Sequence, residues 1–126
     1  MFEMGKSYSR EDIHAECGGN KHSYLPRKHG RVVAACLSPD LNPGAPNIIL
    51  CNPKLPEKAA ADQLAIQGGV IPVFLKQTSN SWVYQGLFRV VSCSSHPDDC
   101  APYAAQSAWT KGQIKRVLKL EQQIKF

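Results

Sequence analysis

The stretch Val70–Cys93, VIPVFLKQTSNSWVYQGLFRVVSC, decides the fold. Val70 to Lys76 is the most apolar run of the chain and reads as a buried strand. Gln77 to Ser81 is polar and turn-forming, and Trp82 to Gln85 resumes the extended pattern. Gly86 marks a tight turn or a bulge before a further strand, Leu87 to Cys93. Consecutive strands with short connections predict an antiparallel meander. Pro72 cannot donate a ladder hydrogen bond, so its strand is expected at an edge or locally bulged there. Trp82 and Tyr84 point the same way and are expected in the core rather than on an exposed platform.

Working outward, Arg31–Leu37 and Asn47–Cys51 (NIILC) are two further strands, separated by the turn-rich loop Ser38–Pro46. Asn52 to Pro56 turns again. Pro56 to Gln67 reads as a helix, with proline in its first turn, Glu57 near its positive end and Gly68-Gly69 as the stop; Ala61, Leu64 and Ala65 form its inward stripe. Ser9 is an N-cap for a short helix over Arg10–Cys17, with Glu11 and Asp12 in the first turn and Gly18-Gly19 ending it. Residues 1–8 read as a frayed lead-in. Ser94–Pro102 reads as a polar loop, Tyr103–Lys111 as a helical turn, and Ile114–Glu121 as a final strand. The expectation is an α+β fold, a single domain over residues 1–126, with one curved, partly barrel-like, mainly antiparallel sheet and two short covering helices.

The formal net charge is +5, which favours an anionic partner without identifying one. No apolar run approaches the about 20 residues a membrane helix needs. The start, MFEMGKSYSRED, has no signal-peptide core, so a cytoplasmic protein is expected. The five cysteines, Cys17, Cys36, Cys51, Cys93 and Cys100, are odd in number and contain no C-x-x-C pair, which fits a reducing compartment.

The basic charge concentrates in Asn20–Arg31, NKHSYLPRKHGR, where Lys21, His22, Arg27, Lys28, His29 and Arg31 surround Tyr24, Leu25 and Pro26. No acidic residue lies between Glu16 and Asp40. Such a loop suits a phosphate backbone, although a solvated loop before a strand has the same composition. Tyr24, in a loop, is the better candidate for exposure; Pro26, Trp82, Tyr84 and Trp109 are other apolar candidates. Metal ligation could draw on Cys93, His96 and Cys100, or on His14, Cys17 and His22, but the spacings are irregular and no metal or other cofactor is expected. No G-x-S-x-G elbow or phosphate-binding glycine loop occurs. Cys17 could pair with His14 or His22, yet it sits at a helix C-terminus, the wrong end for activating a thiol. Asp98-Asp99, the only adjacent acidic pair outside the first helix, is too little for a nuclease metal site. No catalytic residue is therefore assigned, and nucleic-acid binding without catalysis is the expectation.

Several runs occur in order: YSREDI (Tyr8–Ile13), Gly18-Gly19, SYLPRKHGRVVAACL (Ser23–Leu37), DLNPGAPNIIL (Asp40–Leu50), IPVFLK (Ile71–Lys76) and W-x-Y-x-G-x-x-R-V (Trp82–Val90). Over roughly residues 8–92 the chain resembles the sulfur-binding domain of type IV restriction endonucleases, which recognise phosphorothioate-modified DNA. The resemblance implies an apolar cavity for the sulfur that replaces a non-bridging phosphate oxygen, with basic side chains holding the backbone around it. It implies backbone contacts from Arg10, Arg27, Lys28, His29 and Arg31, and a cavity built from Ile71 and Pro72, with Tyr24 and Pro26 next. Where the family commonly has an aromatic before the proline, this chain has Ile71. Ser94, Ser95 and His96 would touch base edges or phosphates. The implied partner is double-stranded phosphorothioate DNA, with cleavage left to an HNH-type nuclease partner and a homodimer as an allowed arrangement. Two other readings stand beside it: a reader of modified bases that flips the base into a pocket, and a small hydrolase using Cys or His.

Overall fold

A computed structural model describes residues 2–40, 42–51, 57–104 and 116–123. In chain order the elements are β1 (Ser7–Tyr8), α1 (Arg10–Cys17), β2 (Arg27–Lys28), β3 (Arg31–Val32), β4 (Ala35–Leu37), β5 (Ile48–Cys51), α2 (Glu57–Gln67), β6 (Ile71–Thr78), β7 (Ser81–Ser94), α3 (Pro97–Ala104) and β8 (Arg116–Gln122). The fold is α+β. The main sheet runs β4-β6-β7-β8-β5, with β1 added beside β7, and β2-β3 form a separate hairpin. All pairings are antiparallel except β4 with β6.

The expected meander is present as β6-β7, and Gly86 resolves to the bulge rather than the turn. Phe74 pairs with Tyr84 and Val73 with Gly86, so Gln85 is an extra residue on β7. That insertion shifts the side-chain alternation. Trp82 and Tyr84 join Phe74, Cys36, Ala34 and Ile13 on one face of the sheet. Phe88, beyond the bulge, joins Ile71 and Val73 on the other. β7 is therefore one continuous strand that serves two cores. The second cluster also takes Ala35 and Leu37 of β4, Ile49 and Cys51 of β5, and Ala60, Ala61 and Leu64 of α2. β4 and β5 are the opposite edges of the sheet, and both reach one cluster because the sheet curls around α2.

Several expectations change. The lead-in is structured: Ser7 and Tyr8 pair with Val83 and Trp82, and Phe2 packs edge-on to Tyr8 and Phe74 with ring centroids 4.9 and 4.8 Å apart. Buried aromatic surface outweighs the fraying tendency of a terminus. The predicted strand Arg31–Leu37 divides at Val33-Ala34 into β3, which folds back on β2, and β4, which joins the main sheet. β4 lies parallel to β6 because the intervening chain crosses the sheet to β5 and returns through α2. β6 is an interior strand, but at Pro72 the expectation of an edge or a local bulge holds: β4 pairs only from Val73 onward, and the ladder with β7 shifts register between Val73 and Phe74. Residues read as a polar loop form α3, whose Asp98 and Asp99 occupy its first turn. Proline followed by two acids is a helix-start signal. Among the described residues, three helices thus replace the expected two. The strand expected at Ile114–Glu121 is β8. The turn over Asn52–Pro56, Trp109 and most of the expected turn over Tyr103–Lys111 lie outside the described residues.

α1 matches its expected bounds because its signals are local: Ser9 and Asp12 form a reciprocal capping box, and Gly18 N–H closes on the His14 carbonyl. The two glycines after it do more than stop the helix. Both have φ of +82°, and a Cβ on Gly19 would lie 2.8 Å from Pro26 Cβ and 3.1 Å from the Arg27 backbone nitrogen. Gly19→Ala is expected to lower unfolding stability by about 2–4 kcal/mol, from a left-handed backbone, a collision with the Pro26 ring and tight contact with the Arg27 main chain. Phe2→Ala is expected to cost about 1–2 kcal/mol, because the Tyr8, Phe74 and Tyr84 rings would each lose their contact with the Phe2 ring. Urea unfolding of each variant measures both; a Gly19→Ala protein as stable as the parent would contradict the close approach.

Candidate nucleic-acid interface

The basic loop of the sequence is a β-hairpin. Arg27 pairs with Val32 and Lys28 with Arg31. The two turn residues, His29 (φ 52°) and Gly30 (φ 78°), are both left-handed, as a type I′ turn requires. The strands are two residues each, too short to be stable alone. The turn exposes Arg27, Lys28, His29 and Arg31 together at its tip.

Packing against other elements holds this hairpin in place. The Gln67 side chain at the end of α2 accepts from Val32 N–H and donates to the Val32 carbonyl, each at 2.9 Å, as a neighbouring strand would. Val33 N–H donates to the Pro26 carbonyl and Cys36 N–H to the Tyr24 carbonyl. Leu25 and Pro26 are buried beneath the loop. Arg10 ties the loop's beginning to α1, its Nη2 donating to the Asn20 and Ser23 carbonyls at 2.9 and 2.8 Å.

Lys28, His29 and Arg31 line one side of a groove of about 380 Å³; Val32, Val33, Val70 and Ile71 line it with Gln67 and Cys17. Val70 is 42% exposed, while Ile71, at 4%, belongs to the core cluster beneath. The groove thus sets cationic and apolar surface side by side. Exposed cations attract a polyanion at long range and lose strength with salt. A dehydrated apolar wall instead penalises any oxygen that must give up water to approach it.

Of the residues expected around a cavity, Ile71 lines this groove. Pro72 is half-buried opposite Leu87 in the sheet and Pro26 is fully buried. Tyr24 is half-buried and lines a different, larger cleft, together with Arg10. Arg10, expected on a backbone-facing surface, is only 9% exposed, because its guanidinium serves the loop carbonyls. Ser94, Ser95 and His96 line neither space. Ser94 Oγ donates to Asp99 and accepts from His96 N–H, which ties the end of β7 to the start of α3. Val32, Val33, Val70 and Gln67 were not singled out from sequence as site residues. The glycine pair before Val70 was a usable signal for an exposed strand start; nothing local marks Gln67.

Among the described residues no three of His, Cys, Asp and Glu gather as metal ligands. Burial pushes the Cys17 thiol up, helped by the Glu16 charge; burial likewise raises Cys93, and pushes Cys36 to about 12. An activated nucleophile requires the opposite shift. No described helix is long and apolar enough to cross a membrane.

Comparison with known proteins adds a fold and a family. The structure of the type IV phosphorothioation-dependent restriction endonuclease ScoMcrA superposes with a TM-score of 0.53 over 95% of this chain, at 14% sequence identity. The match takes in 27% of that protein, so this chain spans about a quarter of its length. At such identity the likeness is one of fold. No curated protein matches the sequence. The family model described as a domain of unknown function, DUF6697, matches residues 7–124, and the chain belongs to that family.

Proposed function

We propose that this chain binds phosphorothioate-modified DNA, and that the groove between the β2-β3 hairpin and the start of β6 receives the sulfur-bearing phosphate. The observation that carries the proposal is the meeting of Lys28, His29 and Arg31 with Val70 and Ile71 in one groove. Arg27, Lys28 and Arg31 supply affinity for any DNA backbone. Val70, Val33 and Ile71 supply the discrimination. Sulfur is larger, more polarizable and less hydrated than oxygen, so an apolar wall costs it less on binding. The fold shared with a phosphorothioation-dependent restriction endonuclease supports this reading. In this reading the chain is a recognition module for a restriction system in the cytoplasm, without catalysis of its own. Cleavage comes from a nuclease such as an HNH domain, elsewhere in a longer protein or in a partner.

Discrimination of this kind amounts to about 1–2 kcal/mol, or roughly a five- to thirtyfold preference for modified over plain duplex. Fluorescence anisotropy with two duplexes differing in one sulfur atom measures it. Equal affinity for both would overturn the reading, and also separates it from modified-base recognition, which ignores the backbone atom. Val70→Ser, a change at an exposed position, is expected to reduce the preference while leaving plain-duplex affinity nearly unchanged. Lys28→Ala with Arg31→Ala is expected to weaken both duplexes alike and to lower the slope of log K against log salt by about 0.9 for each phosphate that is no longer neutralised. A double variant in which the sulfur preference alone disappeared would reverse the assigned roles.

A further inference from the structure

The larger cleft, about 750 Å³, shares no lining residue with the hairpin groove. It opens between the start of α1, the Lys21–Tyr24 segment and the β6-β7 turn at Ser79-Asn80. The two openings are neighbours in the fold. Along the chain, only the buried Leu25 and Pro26 and the exposed Arg27 separate Tyr24 in the cleft from Lys28 in the groove. α1 also joins them, since Arg10 lines the cleft and Cys17 the groove. That helix has 8 residues, and a rise of about 1.5 Å for each sets its ends roughly 10 Å apart.

Uncompensated charge marks the same two places. Lys6, Arg89 and Arg116 are ion-paired, with Glu3, Glu121 and Asp62. Arg27, Lys28 and Arg31 on the hairpin, and Lys21 and Lys76 in the cleft, are exposed and form no ion pair among the described residues. Among those residues, Lys119 on β8 is the other exposed lysine in that state, and it lines neither opening. The cleft lysines have defined surroundings. Lys76 Nζ lies 5.8 Å from the centroid of the Trp82 ring, which is part of the cleft wall. Glu11 is the one carboxylate among the lining residues. Its carboxyl is held below the usual carboxylate range chiefly by its own backbone N–H, next by the Asn80 side chain, and more weakly by the Lys21 charge. The acid is thus engaged at the start of α1 and leaves both lysines without an ion-pair partner. Like charges held together in this way repel one another, and a polyanion relieves that repulsion. A separation of roughly 10 Å falls between the widths of the two grooves of a DNA duplex, about 6 and 12 Å, so one duplex spans both openings.

We infer that the cleft is a second docking surface for the backbone of the bound duplex, with Lys21 and Lys76 set against its phosphates and the exposed Ser79 hydroxyl beside them. This inference rests on the chain being a DNA binder, as proposed above, and adds where a second stretch of backbone lies. Contacts made by charge do not distinguish sulfur from oxygen, so the cleft contributes affinity and orientation while the groove contributes the preference.

Lys21→Ala combined with Lys76→Ala tests it, both side chains being exposed and urea unfolding serving as the check on folding. In fluorescence anisotropy of the whole chain, the double variant is expected to bind plain and phosphorothioate duplexes about tenfold more weakly, with the sulfur preference unchanged. The slope of log K against log salt is expected to fall by about 0.9 for each of the two contacts. Lys119→Ala is expected to change neither quantity, which separates a placed contact from net charge. Single neutral methylphosphonate linkages in the duplex locate the contact: a linkage away from the sulfur is expected to weaken binding to the parent protein and not to the double variant. A double variant that binds plain duplex as tightly as the parent would overturn the inference, as would a linkage scan that is the same for both proteins. Sulfur preference with no dependence on Lys21 and Lys76 overturns this inference alone, whereas equal affinity for the two duplexes with that dependence intact overturns the sulfur reading alone.

Discussion

The paired hydrogen bonds between the Gln67 carboxamide and the backbone of Val32 fix where the cationic surface stands. A hairpin with two residues per strand has too few ladder bonds to hold its own direction. α2 supplies what a third strand would have supplied. Because α2 is itself packed inside the curled sheet through Ala60, Ala61 and Leu64, the hairpin is referenced to the main core. Gly18 and Gly19 fix it from the other side, since only glycine lets the end of α1 pass so close to Lys28, Pro26 and Arg27.

In the proposed function, this arrangement would separate two tasks that one surface performs badly. Cationic side chains bind any phosphate backbone, modified or not. Selectivity needs a wall that offers no hydrogen bond, against which an oxygen loses water and gains nothing. In the groove these elements come from different parts of the chain: Lys28, His29 and Arg31 from the hairpin, Val70 and Ile71 from the beginning of β6. Precise placement matters because desolvation acts only at contact, whereas charge acts over several ångströms. The bulge at Gln85-Gly86 belongs to the same frame, since it allows β7 to fill one core with Trp82 and Tyr84 and the other with Phe88.

What the sequence disclosed divides along the range of the interactions. α1 was legible to the residue because its cap, acidic first turn and glycine stop are neighbours in the chain. Arg27, Lys28, His29 and Arg31 were legible as a cluster because they are nearly contiguous. Ile71 was reached through the proline beside it, although Pro72 itself sits within the sheet. Tyr24 and Pro26 show the limit most clearly: they adjoin the cations in sequence, yet one lines the other cleft and the other is buried. Gln67 enters the groove only through packing between elements, which no local pattern encodes, whereas Val70 carried one local mark, the glycine pair before it. β1 was missed for the same reason, because its stability comes from Phe2 and Tyr8 packing on Phe74.

Amide chemical-shift mapping with two duplexes that differ in a single backbone sulfur probes the central claim most directly, because the difference between the two maps reports only where that atom is sensed. If the hairpin groove takes the sulfur, the difference concentrates at Lys28, His29, Val32, Val33, Val70 and Ile71, while the remaining DNA-induced shifts coincide. Identical maps, or a difference centred away from the groove, would contradict it.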